Sequence, residues 1–240
     1  MNPVIASITW RGALGRRRAI LLFVFPALLL ALTIILSAAV GEPRDWVGGV
    51  VGGLGVGAVV PLIALIVGTS VLGMEIEDGN IIHLLTKPVP RHEIILTKLV
   101  VASAVTILFA AVPITLATFL ALPDEPGTAF GLGLAAAVGS IVYSALFLML
   151  SAMTRRAVPI GLLYILVWES LLGNIASGVR NLSINRYTLR IADYVADFPL
   201  RDTRITMRVA VVMSILVTVV ATYVAIRKLR SFTIAGDITA

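Results

Sequence analysis

AILLFVFPALLLALTIILSAAV, residues 19–40, decides the fold. It runs for 22 residues without a charge. At 1.5 Å per helical residue that is enough to cross a hydrocarbon layer about 30 Å thick, for which about 20 apolar residues suffice. Three arginines, Arg16, Arg17 and Arg18, precede it. A signal peptide would carry an apolar run of only about 7–15 residues, so the stretch reads as a retained span.

The rest of the chain has the same character. Of 240 residues 59% are hydrophobic, 13% are charged and none is cysteine, and the mean hydropathy is +1.02. A soluble domain carries roughly 45–50% apolar and about 25% charged residues, and a chain this short cannot hide the excess in its own interior. Lipid must therefore face much of the surface. This excludes a secreted disulfide scaffold, a zinc ribbon, a disordered tail and a soluble enzyme, and the lack of cysteine removes thiol chemistry.

Five further stretches follow, at 46–74, 99–122, 127–153, 157–179 and 209–226, the last being the shortest. The connections at 41–45 and 123–126 are long enough only for hairpin turns, and Trp10 and Trp46 stand where interfacial aromatics belong. The expectation is an all-α integral membrane protein with six spans in one domain, 1–240. Lys and Arg set the orientation. With the N-terminus inside, 12 basic residues, Lys98 and Arg91 among them, fall on the cytoplasmic side and 7 outside, six of the latter in the loop 180–208. Both termini are thus expected in the cytoplasm.

Small residues recur every fourth position at Gly49, Gly53 and Gly57 and at Gly131, Ala135 and Gly139. Such stripes let helices approach closely where lipid removes the hydrophobic drive between them. Residues 131–136 also fit G-x-G-x-x-A, but the dinucleotide fingerprint needs a strand before it and here lies inside an apolar helix.

The polar segment 75–91, EIEDGNIIHLLTKPVPR, separates the second and third stretches. Three acids, Glu75, Glu77 and Asp78, lead to Gly79; Asn80 is a helix N-cap type. Ile81, Ile82, Leu84 and Leu85 then follow at helical spacing, and Pro88 ends the run. Chemistry alone leaves two readings open, a docking helix or an ordinary interfacial loop helix.

This segment resembles the hallmark loop of ABC-2 type permeases, close to E-x-x-x-G-T-[IL]-x-x-L-L-x-x-P-[IV]-[ST]-R. Gly79, Ile81, Leu84, Leu85, Pro88, Val89 and Arg91 match; Asn80 replaces the usual Thr and Pro90 the usual Ser or Thr. The resemblance implies an amphipathic elbow in residues 1–18, six spans, and a cytoplasmic coupling helix in 75–91. It also implies a plasma-membrane location, a second permease copy (identical or paralogous), and two copies of a separate ABC ATPase that bind ATP and magnesium. This chain has no G-x-x-x-x-G-K-[ST] phosphate loop, so it is expected to hold no cofactor or metal, to catalyse nothing, and to have no nucleic-acid partner.

Three features remain. Glu169, in the fifth stretch, is an acid at membrane depth, a candidate for the translocation path or for helix packing, with Asn174 a possible partner. In the loop 180–208, Tyr187, Ile191, Tyr194, Val195 and Phe198 share one helical face and Arg186, Arg190, Asp193 and Asp197 the other, which predicts an interfacial amphipathic helix, either an outer gate or a helix on the lipid boundary. His83 and His92 have no zinc spacing, and the Asn181–Ser183 triplet, a glycosylation pattern, is assigned nothing. Two other classes stay in view, an ion-gradient-driven secondary transporter and an integral-membrane enzyme such as a lipid-modifying transferase or an intramembrane protease. The first needs repeated halves with several buried charges and the second a cluster of reactive groups at membrane depth. An ATPase gene beside this one would discriminate.

Overall fold

A computed structural model describes residues 6–7, 9–10, 12, 15–77, 90–172, 183–196, 200 and 205–231. All the regular structure among them is helical. This is what lipid demands, since a helix satisfies its backbone groups internally. Helix α1 is Arg16–Ala39 and keeps Pro26 inside it. Helix α2 (43–77) starts at Pro43, whose missing N–H costs nothing at that position, with Asp45 in its first turn. It is wound as a π-helix over Gly48–Val59 before becoming α-helical over Val60–Glu77. Helix α3 (91–121) has a short π-helical stretch, Ile107–Ala111. Helix α4 is Pro126–Met153. Helix α5 (157–172) changes from α to π winding at Tyr164. Helix α6 is Ile184–Val195 and α7 is Met207–Ser231.

Five of these are long and apolar enough to cross a membrane: α1, α2, α3, α4 and α7. The expected fifth span, 157–179, is described only to Leu172, and its apolar part Ala157–Glu169 is shorter than a span. The elbow expected in 1–18 lies largely outside the described residues, as does Asn174. Elsewhere the helices outrun the hydropathy. The third begins at Arg91 rather than at 99, and the last ends at Ser231 rather than at 226. Helical hydrogen bonding continues past the edge of the apolar window, so the polar flank folds as part of the same rod.

Helix α4 is the centre, packed on α2, α3, α5, α6 and α7. In α2 and α4 61% of the most apolar window is buried, against 22% in α1 and α7, so the last two form the periphery and present Phe23, Leu28, Ile35, Val212, Ile215 and Val219 outward. The interior, by contrast, holds hydroxyls. Thr106 and Ser144 pair across α3 and α4 at 3.3 Å, and Ser151 of α4 donates to the Thr69 carbonyl of α2 at 3.3 Å. Such bonds join helices where apolar surface gives no preference for protein over lipid. At the end of the bundle that carries the turns 40–42 and 122–125, Arg44 forms an ion pair with Glu125, and Trp46 is buried in the bundle nearby.

Candidate functional site

At the opposite end of the bundle, the segment 75–91 is described only at its margins. Glu75 and Glu77 belong to the last turn of α2 and Arg91 opens α3. Asp78, Gly79, Asn80, Ile81, Leu84, Leu85 and Pro88 lie outside the described residues, as does His83; His92 is exposed. Arg91 donates from Nη1 to the Leu229 carbonyl at 3.0 Å. That places a cation at the C-terminal end of α7, where the last carbonyls are unpaired and the helix dipole is negative. The segment's exit is thereby tied to the last helix.

Two turns further into α3 is Lys98, which the hydropathy pattern assigns to the cytoplasmic flank. Lys98 is 0% exposed. Its Nζ donates to the Val71 carbonyl of α2 at 2.5 Å, so α2 and α3 are joined beside the segment that connects them. A helical wheel centred on Lys98 carries the signal. Ile94, Ile95, Val101, Ala102 and Val105 share its face, and all are buried.

Nearer the middle of the bundle lies the acid that the sequence places at membrane depth. Glu169 is 5% exposed. Four donors converge on its two oxygens: the Tyr164 hydroxyl at 3.2 Å, the Ser183 hydroxyl at 2.5 Å, and the backbone N–H groups of Ile184 at 3.0 Å and Asn185 at 3.4 Å. This suits the acceptor-only inventory of a carboxylate. Tyr143 stacks on Phe147 with centroids 6.1 Å apart, and Phe147 meets Tyr164 edge-on at 6.4 Å, so the aromatic rings of α4 and α5 wall the group.

Helix α6 is not the surface helix its sequence predicts. Its glycine contacts give its depth. A Cβ on Gly131 would meet the Ala192 carbonyl at 2.7 Å, on Gly139 the Thr188 methyl at 3.3 Å, and on Gly57 the Asn185 side chain at 2.9 Å. The helix therefore starts roughly 20 Å along α2 and α4, counting 1.5 Å per residue from their first residues, and runs back toward the turns. Tyr187 (1% exposed) and Ile191 (4%) pack against Ile205 and Ala210. Tyr194, predicted on the same helical face, is 70% exposed, although the last turn of α6 still packs on Gly131 through Ala192 and Val195. Phe198 lies outside the described residues.

The stripe Gly131, Ala135 and Gly139 is thus the bed of α6. In the other stripe only Gly57 touches it, since Cβ atoms at Gly49 and Gly53 would meet nothing within 4 Å. Among the described residues, no group of three or more His, Asp or Glu is placed to hold a metal.

Residues 14–177 match the family described as ABC-2 family transporter protein. The chain belongs to the ABC-2 transporter family. The matched range takes in α1 to α5 and the whole of 75–91, and stops short of α6 and α7. No curated protein matches the chain. It is thus a multi-pass membrane protein with a permease role in the ABC-2 transporter family.

Proposed function

We propose that this permease is the membrane subunit of an ATP-driven exporter in the plasma membrane, with both termini cytoplasmic. It works as a pair of permease subunits, identical or paralogous, with two ABC ATPase subunits that bind the ATP and magnesium. The observation that carries the reading is the family match, which spans the segment 75–91. In this reading Glu75, Glu77, Asp78, Gly79, Asn80, Ile81, Leu84, Leu85, Pro88 and Arg91 form the ATPase-coupling segment. Glu169 stands beside the route of the substrate, and α6, with Tyr187, Ile191, Tyr194 and Phe198, covers its outer end. Two contacts support transmission from the segment: Lys98 to Val71 and Arg91 to Leu229 tie its flanks to α2 and α7.

The test is retention of the ATPase. A docked leucine contributes about 1.5–3 kcal/mol by burial, and a charge in its place is costly. Leu84→Asp combined with Leu85→Asp should leave the spans inserted but lose the co-purifying ATPase, or keep it hydrolysing without transport. Tyr194→Asp, at the other end and exposed, should leave the ATPase attached. Unchanged ATPase affinity and unchanged transport in the double variant would refute the coupling assignment.

A further inference from the structure

Helix α6 begins inside the bundle, where its first N–H groups have no water to turn to. Ser183, its N-cap residue, makes no capping bond to them; its hydroxyl goes to Glu169 instead. The carboxylate of α5 accepts the N–H groups of both Ile184 and Asn185. The cap of one helix is thus supplied by another, and an anion sits at the positive end of the α6 dipole.

Three further observations bear on what this cap does. The stretch that carries Glu169, Tyr164–Leu172, is π-wound, a winding found mostly in short pieces at functional sites. Asn185 Oδ1 is buried without a hydrogen-bond partner, and the buried Tyr143 hydroxyl lies within reach of Glu169 and of the Asn185 backbone; the interior therefore has polar capacity around the cap beyond the four bonds it makes. And α6 rests on glycines, by close packing that lipid does not reinforce.

We propose that Glu169 is a positioning residue, the latch that holds α6 in the bundle, and that its release lets the first turn of α6 withdraw and opens the interior from that end. The consequence for transport rests on the permease reading above; the latch does not.

Because the chain has no cysteine, a single introduced thiol reports alone. Thr188→Cys on α6 and Ala102→Cys in α3, both at fully buried positions, would be placed separately in the full chain. Each is reconstituted in lipid nanodiscs and reacted with a charged maleimide, with Glu169 intact, as Glu169→Gln and as Glu169→Ala. Gln fills the same volume but turns one acceptor into a donor that faces donors. The latch predicts labelling at Thr188→Cys at least tenfold faster in Glu169→Gln, faster again in Glu169→Ala, and unchanged at Ala102→Cys. Wild-type labelling of Thr188→Cys in Glu169→Gln would overturn it, since a role in packing alone survives the isosteric change. A parallel rise at both cysteines would also overturn it, as general loosening. If the latch pattern is found but no ATPase ever co-purifies, the latch stands and the permease reading fails.

Discussion

Lys98 is buried near the end of the bundle that carries 75–91 and Glu169 near its middle, and each is met by backbone of the opposite partial charge. The carboxylate receives N–H groups at the start of α6; the ammonium gives its proton to a carbonyl in the last two turns of α2. At Glu169 it is the start of a helix that meets the buried acid. The difference lies in what each joins. Lys98 ties two long spans that already pack along their length. Glu169 ties a helix of 12 residues, too short to be stable by itself in water and seated on glycine. Lys98 is a clamp and Glu169 a catch.

The comparison breaks first at the clamp. Lys98→Glu puts an anion against a carbonyl oxygen in the interior, and breaking such a buried contact costs about 3–5 kcal/mol. The expected outcome is little folded protein, with Lys98→Met far milder because an apolar side chain of similar length removes the charge altogether. Equal thermal unfolding temperatures for the two variants in detergent would show that Lys98 is not enclosed.

Gly131→Ala tests the bed of α6. The added methyl meets the Ala192 carbonyl, backbone that cannot swing away, so a cost of about 1–3 kcal/mol is expected. Gly53→Ala, which faces open space, should change stability by less than about 0.5 kcal/mol, as surface substitutions do. The two unfolding curves, measured side by side, should separate; if they coincide, α6 does not rest on Gly131.

The smallest effect belongs to Arg91→Ala. A cation at a helix C-terminus contributes about 0.3–1 kcal/mol, and the loss should shrink further in high salt. Unfolding at two ionic strengths checks this; a loss that salt leaves unchanged would mean that the contact with Leu229 is not electrostatic in origin.

Much of this architecture was legible in the residues. Apolar runs located the helices because lipid leaves the backbone no alternative to internal hydrogen bonding, and the small-residue stripe at 131–139 announced a close approach. The partner in that approach was not legible. Helix α6 has the alternation of an interfacial helix, and only its neighbours show that both faces are covered, Leu189 near Gly52 on one side and Tyr187 against Ile205 on the other. Lys98 was misread because a charge beside an apolar window was assigned to the loop, whereas its helical neighbours Ile94 and Val101 mark an interior face. Glu169 was legible as an exception but not in its role, since three of its four donors are 14 to 16 residues away.

The ATPase belongs, on the proposed function, at the end of the bundle that carries 75–91, on the side away from the exposed turn of α6. A photoreactive phenylalanine analogue placed at Leu84 in one sample and at exposed Tyr194 in another, each in the complex as purified with its ATPase, tests that assignment most directly. Irradiation should join the ATPase to the chain from position 84 and not from position 194. Adducts from 194 alone would reverse the orientation of the bundle and contradict the coupling role of 75–91.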